Sequence, residues 1–342
     1  MTKILIVGPS PHMLTGYGIV GKYLIEGLIK NELNVKFMGL QTQGKPYNDY
    51  ELPYIEDLDY YINRYEITHI LTIGDFIPKF EKKEGLKWIH HATVQNYPLP
   101  RVIKDKIKGA DVLISPSPFV QRMLSNSGLK STLIPHAFTL PITNKERPDI
   151  LKDKKIFLCV GTNQIQKNIV TVIEAFRKIL SRIENVVLIL ITNPFEQGGL
   201  DLHKIFQNLN FPPNSVFFYQ GKYGYSLTRE ELAGIYSFSN IYVSASMGES
   251  FSLPLLEASF YGLPAIVPEF SASGDFVETY ERGLTIRTKL MQTNYSLSKQ
   301  ALIDSNDLAN TMIKIVHTKK IKFNSKDFEL DNVLVKWLQI FK

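Results

Sequence analysis

Cysteine is nearly absent: the 342-residue chain holds one, Cys159. A lone thiol cannot build a disulfide framework, which points to a reducing, intracellular setting and excludes the stapled domains of small secreted proteins. Long hydrophobic runs are absent as well. No stretch approaches the ~20 apolar residues of a membrane-spanning helix. The first apolar segment, "ILIVG", is too short for the core of a signal peptide. Dense Lys/Arg stripes with interleaved aromatics are missing. The formal charge of +6 therefore suits an anionic ligand or a membrane surface better than nucleic acid, and no nucleic-acid partner is expected. Neither G-x-S-x-G nor a phosphate-loop motif occurs, which removes the usual hydrolase and nucleoside-triphosphatase readings. No Cys/His cluster has metal-ligand spacing, so neither a metal site nor a resident cofactor is expected.

What is present reads as a globular α/β protein. Hydrophobic residues make up 44% and charged residues 21%, ordinary values for a folded domain. The length exceeds one compact core of usual size and implies two domains. Strands and helices alternate through the first third: "KILIVG", an amphipathic helix in "TGYGIVGKYLIEGLIKN", then "NVKFMGL", "ITHILTIG", "LKWIHHA", "ADVLISPS" and "STLIPHA". "TLPITNKERPDILKDKK" breaks the alternation with two prolines and many charges, and reads as a linker. The pattern restarts with "IFLCVG", a helix in "NIVTVIEAFRKILSRI", then "NVVLILIT", "VFFYQG", "NIYVSAS" and "PAIVP". Such runs imply two doubly wound parallel sheets covered by helices. The boundaries fall at residues 1–145 and 146–325, with a closing helix over 326–342. Val333, Leu334, Trp337, Leu338 and Ile340 are its candidate packing residues. Two such domains would face each other across a cleft, with ligands at the strand-to-helix loops.

The most informative stretch is "MGESFSLPLLEASFYGLP", Met247–Pro264. It follows a buried strand. Ser252 is placed to cap a helix, Pro254 is tolerated in a first helical turn, and Gly262 ends the helix. Glu249 then lies in the strand-to-helix loop and Glu257 in the first turn. Backbone N–H groups near Ser250, Phe251, Ser252 and Leu253 would form an anion site. An acid in a first turn is favourable by roughly 0.3–1 kcal/mol from the helix dipole alone, so Glu257 by itself says little. Together, an anion site between two carboxylates calls for a ligand with a diphosphate and hydroxyls, which a nucleotide-sugar has.

Other constellations are weaker. "GPSPHMLTGYG" opens the first helix, and Gly16, Tyr17 and Gly18 would let the backbone approach a ligand closely. It is not the dinucleotide fingerprint, so a nicotinamide dehydrogenase lacks its motif. "VGTNQIQKN" puts Lys167 at a helix start, against the macrodipole, which hints at a ligand anion; Asn163 and Gln164 could add hydrogen bonds. His90 and His91 end a strand and project to opposite faces. Asp75 ends another strand, where a loop-holding role is at least as good a reading. His136 precedes the linker, where a structural role is expected.

These residues resemble a family. "GESFSLPLLEASFYGLPAIVP" is similar to the E-x7-E signature of family-four retaining glycosyltransferases, nucleotide-sugar-dependent enzymes of the GT-B fold with two Rossmann-like domains. "TGYG", "SPSPFVQRMLSNSG", "LIPHAF", "VGTNQIQKN" and "YQGKYGYSLTREELAGIYSFSNIYVSAS" follow in that family's order, over nearly the whole chain. The resemblance implies a hexosyltransferase that moves a hexose from a nucleoside-diphosphate sugar to an acceptor hydroxyl. It implies front-face transfer, no protein nucleophile, no required metal, and the donor sugar as co-substrate in place of a cofactor. Glu257 would bind the donor ribose. Glu249, with amides near Phe251 to Leu253, would hold the sugar. Lys167 would bind the diphosphate, and Gly16 to Gly18 would approach the donor from the N-terminal, acceptor-side domain. The family's cleft histidine corresponds to His90 or His91, and the choice stays open. The closing helix would pack back on the N-terminal domain. UDP- or GDP-hexose is the implied donor, and a glycan, lipid-linked saccharide or small molecule the acceptor. The expected setting is cytoplasmic, with peripheral membrane contact as an option. Three departures stand out. Thr162 and Gln166 occupy positions where the family often has arginine, Ser252 replaces a common glycine, and "VQNYPLP" offers Gln95 and Asn96 where some relatives have an acid. A same-fold epimerase or hydrolase and a non-catalytic nucleotide-sugar-binding subunit are the rival readings.

Overall fold

The computed structural model describes residues 2–13, 15–40, 49–74, 77–222, 225, 227–293 and 298–342. Asp75 lies outside the described residues. The chain forms two compact units: Met1–Thr139 with Ser325–Lys342, and Leu140–Asn324.

Short aliphatic runs, buried at nearly every position, are what a parallel sheet covered on both faces requires. In unit 1 they give β1 (Lys3–Pro9), β2 (Asn34–Leu40), β3 (Glu51–Leu52), β4 (His69–Ile73), β5 (Lys87–His91), β6 (Val112–Ser115) and β7 (Thr132–Leu133). All pair in parallel, in the order β3-β2-β1-β4-β5-β6-β7. Helices α1 (Gly16–Lys30), α2 (Asp59–Tyr65), α3 (Arg101–Ile107) and α4 (Pro118–Asn126) lie between the strands in sequence. Leu5, Val7, Met38, Leu58 and Ile70 belong to the core on one face of this sheet.

Unit 2 repeats the scheme. In chain order it has β8 (Lys155–Val160), α5 (Ile169–Ile179), β9 (Val186–Ile191), α6 (Leu202–Asn208), β10 (Val216–Phe218), α7 (Arg229–Phe238) and β11 (Ile241–Val243). There follow α8 (Leu253–Phe260), β12 (Ala265–Pro268), α9 (Ser271–Thr279), β13 (Gly283–Ile286), an antiparallel hairpin of β14 (Lys289–Gln292) and β15 (Lys299–Leu302), and α10 (Ser305–Ile315). Its parallel sheet runs β10-β9-β8-β11-β12-β13. Every residue of β9 is buried, and α5 turns Ile169, Val172, Ile173, Phe176 and Ile179 inward at helical spacing. The chain then returns to unit 1 as α11 (Leu330–Ile340).

The α/β architecture anticipated from the alternation is present, with differences of detail. The strand expected over "NIYVSAS" is confined to Ile241–Val243. β3, β13 and the β14–β15 hairpin carried no sequence signal: β3 has two residues, and all four residues of β14 are exposed, so no apolar alternation marks it.

The closing helix packs within unit 1. Val333, Leu334, Trp337 and Phe341 are buried, and Leu338 and Ile340 are half-buried. α11 lies against α1, where a side chain at Gly27 would overlap Leu334. That close approach favours glycine near the end of α1, despite its cost of roughly 0.5–1 kcal/mol relative to alanine.

Candidate active site

Strand order places the site. In unit 2 the order reverses between β8 and β11, so the loops leaving the carboxyl ends of these neighbours diverge and leave a crevice. The loop after β8 carries "GTNQIQKN", and the loop after β11 carries "SASMGESFS". The fold therefore juxtaposes two segments more than eighty residues apart in sequence, as the bond between Lys167 and Glu249 shows.

Lys167 Nζ donates to Glu249 Oε1 at 2.7 Å, and Ser246 Oγ donates to the same oxygen at 2.7 Å. The side chains of Lys167 and Glu249 are 23% and 13% exposed, so the pair is shielded yet reachable. The loop is anchored on several sides. Met247 N donates to Gln166 O at 2.7 Å, Glu249 N to Ser271 Oγ at 3.0 Å, Ala272 N to Glu249 O at 3.1 Å, and Ala301 N to Met247 O at 2.8 Å. Lys167 does not stand in the next helix, as its position suggested. It ends a 3-10 turn, Ile165–Lys167, and Asn168 in the left-handed region (φ 49°) separates it from α5.

Two expectations at α8 are corrected. The helix starts at Leu253, with Pro254 in its first turn, so Glu257 lies in the second turn and no acid occupies the first. Ser252 precedes the helix, but it adopts φ 77°, ψ 77°, and its side chain makes no capping bond. Its hydroxyl lies beside the Tyr242 phenol instead. This backbone conformation favours glycine, the residue more common here in the family resembled. Ser250, Phe251 and Leu253 flank this start, the first two buried and the third half-buried.

Glu257 is buried and fully engaged. Its Oε1 accepts from Arg229 Nη1 at 2.9 Å, and its Oε2 accepts from the Tyr236 hydroxyl at 3.0 Å. Burial pushes its carboxyl above the usual carboxylate range, and the Arg229 guanidinium partly offsets that rise. Arg229 was not singled out from sequence. It sits inside "TREEL", where two acids and the threonine make a helix start with a capping box between Thr228 and Glu231. A cation at the first position of a helix runs against the dipole, and that was the available signal.

Asn163 is near Lys167 in sequence, but its side chain holds the 194–200 loop. Its Nδ2 donates to Leu200 O at 2.6 Å, and its Oδ1 accepts from Leu200 N at 3.4 Å.

The unit 1 candidates divide. Gly16 is exposed and Tyr17 half-buried at the start of α1; Gly18 is buried and accepts no side chain, because a Cβ would run into the Met13 and Ser10 carbonyls. Thr15 caps this helix by accepting from Gly18 N at 3.2 Å. His90 and His91 are not brought to a surface. His90 is 2% exposed, with Nδ1 2.8 Å from Thr72 Oγ1. His91 is fully buried and stacked with His136 (ring centroids 5.0 Å apart) and Trp337 (6.2 Å). Burial lowers the His90 imidazole to about 3 and that of His91 to about 4. Among the described residues no three His, Cys, Asp or Glu side chains group as a metal site requires, and no helix is long and apolar enough to cross a membrane. Cys159 is buried in β8, and burial pushes its thiol up to about 12.

Comparison with known proteins places this geometry. The model of the family described as "Glycosyl transferases group 1" matches residues 142–317, just over half of the chain. No curated protein matches the sequence. Solved structures match over nearly the full length. A sucrose-phosphate synthase from Thermosynechococcus elongatus is 19% identical with a TM-score of 0.77, covering 100% of this chain and 98% of its own. HepE from Anabaena, solved in complex with UDP-glucose, is 14% identical with a TM-score of 0.72 and 99% coverage of both chains. A glycosyltransferase from Rickettsia africae is 15% identical with a TM-score of 0.67, covering 100% of this chain and 98% of its own. At these identities the likeness establishes the fold.

Proposed function

The chain belongs to the group 1 glycosyl transferases, and from that premise we propose that it is a retaining, metal-independent hexosyltransferase of family four that uses a nucleoside-diphosphate sugar. The observation that carries the proposal is the pair of carboxylate–cation contacts bracketing the start of α8: Lys167 with Glu249, and Arg229 with Glu257. A diphosphate at this helix start meets the N–H groups of the first turn and the Lys167 ammonium, which leaves Glu249 as it arrives. As the bond from the anomeric carbon to the diphosphate oxygen breaks, negative charge grows on the leaving group. Fixed donors placed there stabilise it more in the transition state than in the ground state. Glu249 takes the donor sugar, and Glu257 takes the ribose hydroxyls. The N-terminal domain supplies the acceptor side, and the acceptor hydroxyl attacks from the face the diphosphate leaves. UDP- or GDP-hexose is the donor class assigned, and UDP-glucose is the first to try because a relative of the same fold was solved with it.

The test is kinetic. A thermal-shift panel of UDP-, GDP- and ADP-glucose in EDTA selects the donor, and turnover is then measured for Glu249→Gln and Glu257→Gln. Glu257 touches a part of the donor that does not react, so its variant should raise KM more than it lowers kcat. The Glu249 variant should lower kcat and spare affinity for the bare nucleoside diphosphate. Equal losses of nucleotide affinity with no difference in turnover would remove the separate roles. Activity lost in EDTA and restored by Mn²⁺ would remove the metal-independent mechanism. Binding without turnover on any acceptor would favour a nucleotide-sugar-binding subunit, a reading motivated by Thr162 and Gln166 in place of arginine.

A further inference from the structure

Arg229 is assigned no role by the family signature, yet it is the more accessible member of the more buried of the two ion pairs at the α8 start. Its side chain is 23% exposed, while that of Glu257 is 6% exposed. The guanidinium is the more reachable of the two groups. Both Glu257 oxygens are already engaged, one by Arg229 and the other by Tyr236. Any hydroxyl that Glu257 accepts must therefore approach within reach of the Arg229 N–H fork. A guanidinium has five donors in a rigid plane, and the contact with Glu257 is not the only interaction this one makes. Placement adds to this. Arg229 is the first residue of α7, where a cation opposes the dipole, and the neighbouring acid Glu231 is occupied by the capping box.

We propose that Arg229 reads the donor nucleoside: its guanidinium, held by Glu257, donates to a ribose or base oxygen of the nucleotide whose ribose that carboxylate accepts. The inference rests on the donor-site reading above and adds the residue that would set nucleoside affinity. It also assigns the cation to the nucleoside and leaves the diphosphate to Lys167.

Titration calorimetry with UDP, GDP and ADP, and with UMP, GMP and AMP, tests it on the intact chain. The variants are Arg229→Met, Arg229→Lys, Glu257→Gln and the double Glu257→Gln/Arg229→Met. Removing the arginine alone leaves Glu257 buried without its cation, so the double variant is the decisive background. There Arg229→Met should cost about a further tenfold in affinity, the scale of one charge-assisted hydrogen bond, for the monophosphate and the diphosphate alike. Arg229→Lys should recover part of the loss. If the double variant binds as well as Glu257→Gln alone, Arg229 acts only by keeping Glu257 charged, and the inference fails while the donor site stands. A loss confined to the diphosphates would overturn it too, by placing the cation on phosphate. Wild-type protein that binds none of the six nucleotides would overturn the donor-site reading along with it.

Discussion

The ionisable groups gathered near strand ends are held in opposite ways in the two units, although unit 1 also buries one acid, Glu51 against His12, and unit 2 one base, Arg282. Unit 1 buries bases and keeps them neutral: His90, His91 and His136 lie in its core, and burial lowers all three imidazoles far below their usual value of 6.5. Neither ring nitrogen of His91 has a hydrogen-bond partner among the described residues. Unit 2 shields acids and holds a cation against each: Glu249 with Lys167, Glu257 with Arg229. A neutral imidazole stacked between aromatic rings is packing material. A shielded ion pair contributes little net stability, because desolvation offsets most of the attraction, so retaining two of them beside one helix start points to ligand chemistry. Titratable side chains near strand ends are thus not equivalent, and the partner distinguishes them.

The sharpest way to break this comparison is acid. An imidazole whose folded-state pKa lies below its unfolded value takes up its proton on unfolding. Stability is complete above about pH 6.5 and falls as the pH drops toward about 4 for His91 and about 3 for His90. Each such group contributes up to about 1.4 kcal/mol per pH unit inside that window. Both tryptophans of the chain, Trp88 and Trp337, belong to unit 1, so their fluorescence follows that unit during urea unfolding. Between pH 6.5 and 4.5 its stability should decline with an uptake approaching three protons, and His91→Phe should remove about one of them. A flat stability over that range would show that these imidazoles are not held neutral.

Lys167→Ala probes the other side. If the lysine serves the diphosphate, the variant should weaken nucleoside-diphosphate binding by roughly 1.5–3 kcal/mol, the scale of a charged hydrogen bond, with a small change in melting temperature. The stability effect stays small because the pair is partly solvated and Glu249 keeps its bond from Ser246. An unchanged dissociation constant would make the Lys167–Glu249 pair a loop clasp.

What the sequence disclosed and concealed follows the same division. The sheets were readable because a parallel strand buried on both faces is an unbroken apolar run, as in "VVLILI" of β9. The Glu249–Glu257 segment was readable because strand, proline-led helix and glycine stop are local signals. Arg229 was concealed because its partner is 28 residues away on another helix, and only the sheet order brings them together. His90 and His91 looked like site residues because a strand end is where ligands bind. That α11 returns to lay Trp337 over His91 is a long-range event without a local signature. The turn holding Glu257 was misplaced because proline is tolerated at either of the first two helical positions, and here it takes the second.

The smallest effect concerns Ser252, where the two demands on the α8 start collide. Its φ of 77° puts a side-chain-bearing residue in the left-handed region, at a cost of roughly 1–2 kcal/mol that glycine escapes. Its hydroxyl lies beside the buried Tyr242 phenol, as does that of Ser244, and this polar contact offsets part of the strain. Ser252→Ala keeps the strain and loses the polar contact, so it should destabilise unit 2 by up to about 1 kcal/mol. Ser252→Gly loses the same contact but relieves the strain, so it should come out within about 0.5 kcal/mol of the natural protein and about 1 kcal/mol more stable than the alanine variant. Chemical denaturation followed by far-ultraviolet circular dichroism of all three proteins measures the difference. Nucleoside-diphosphate affinity should be retained by the glycine variant, because the amides at the helix start keep their directions. Equal stabilities for the glycine and alanine variants would mean that the backbone at position 252 carries no strain, and that only the contact with Tyr242 favours the serine.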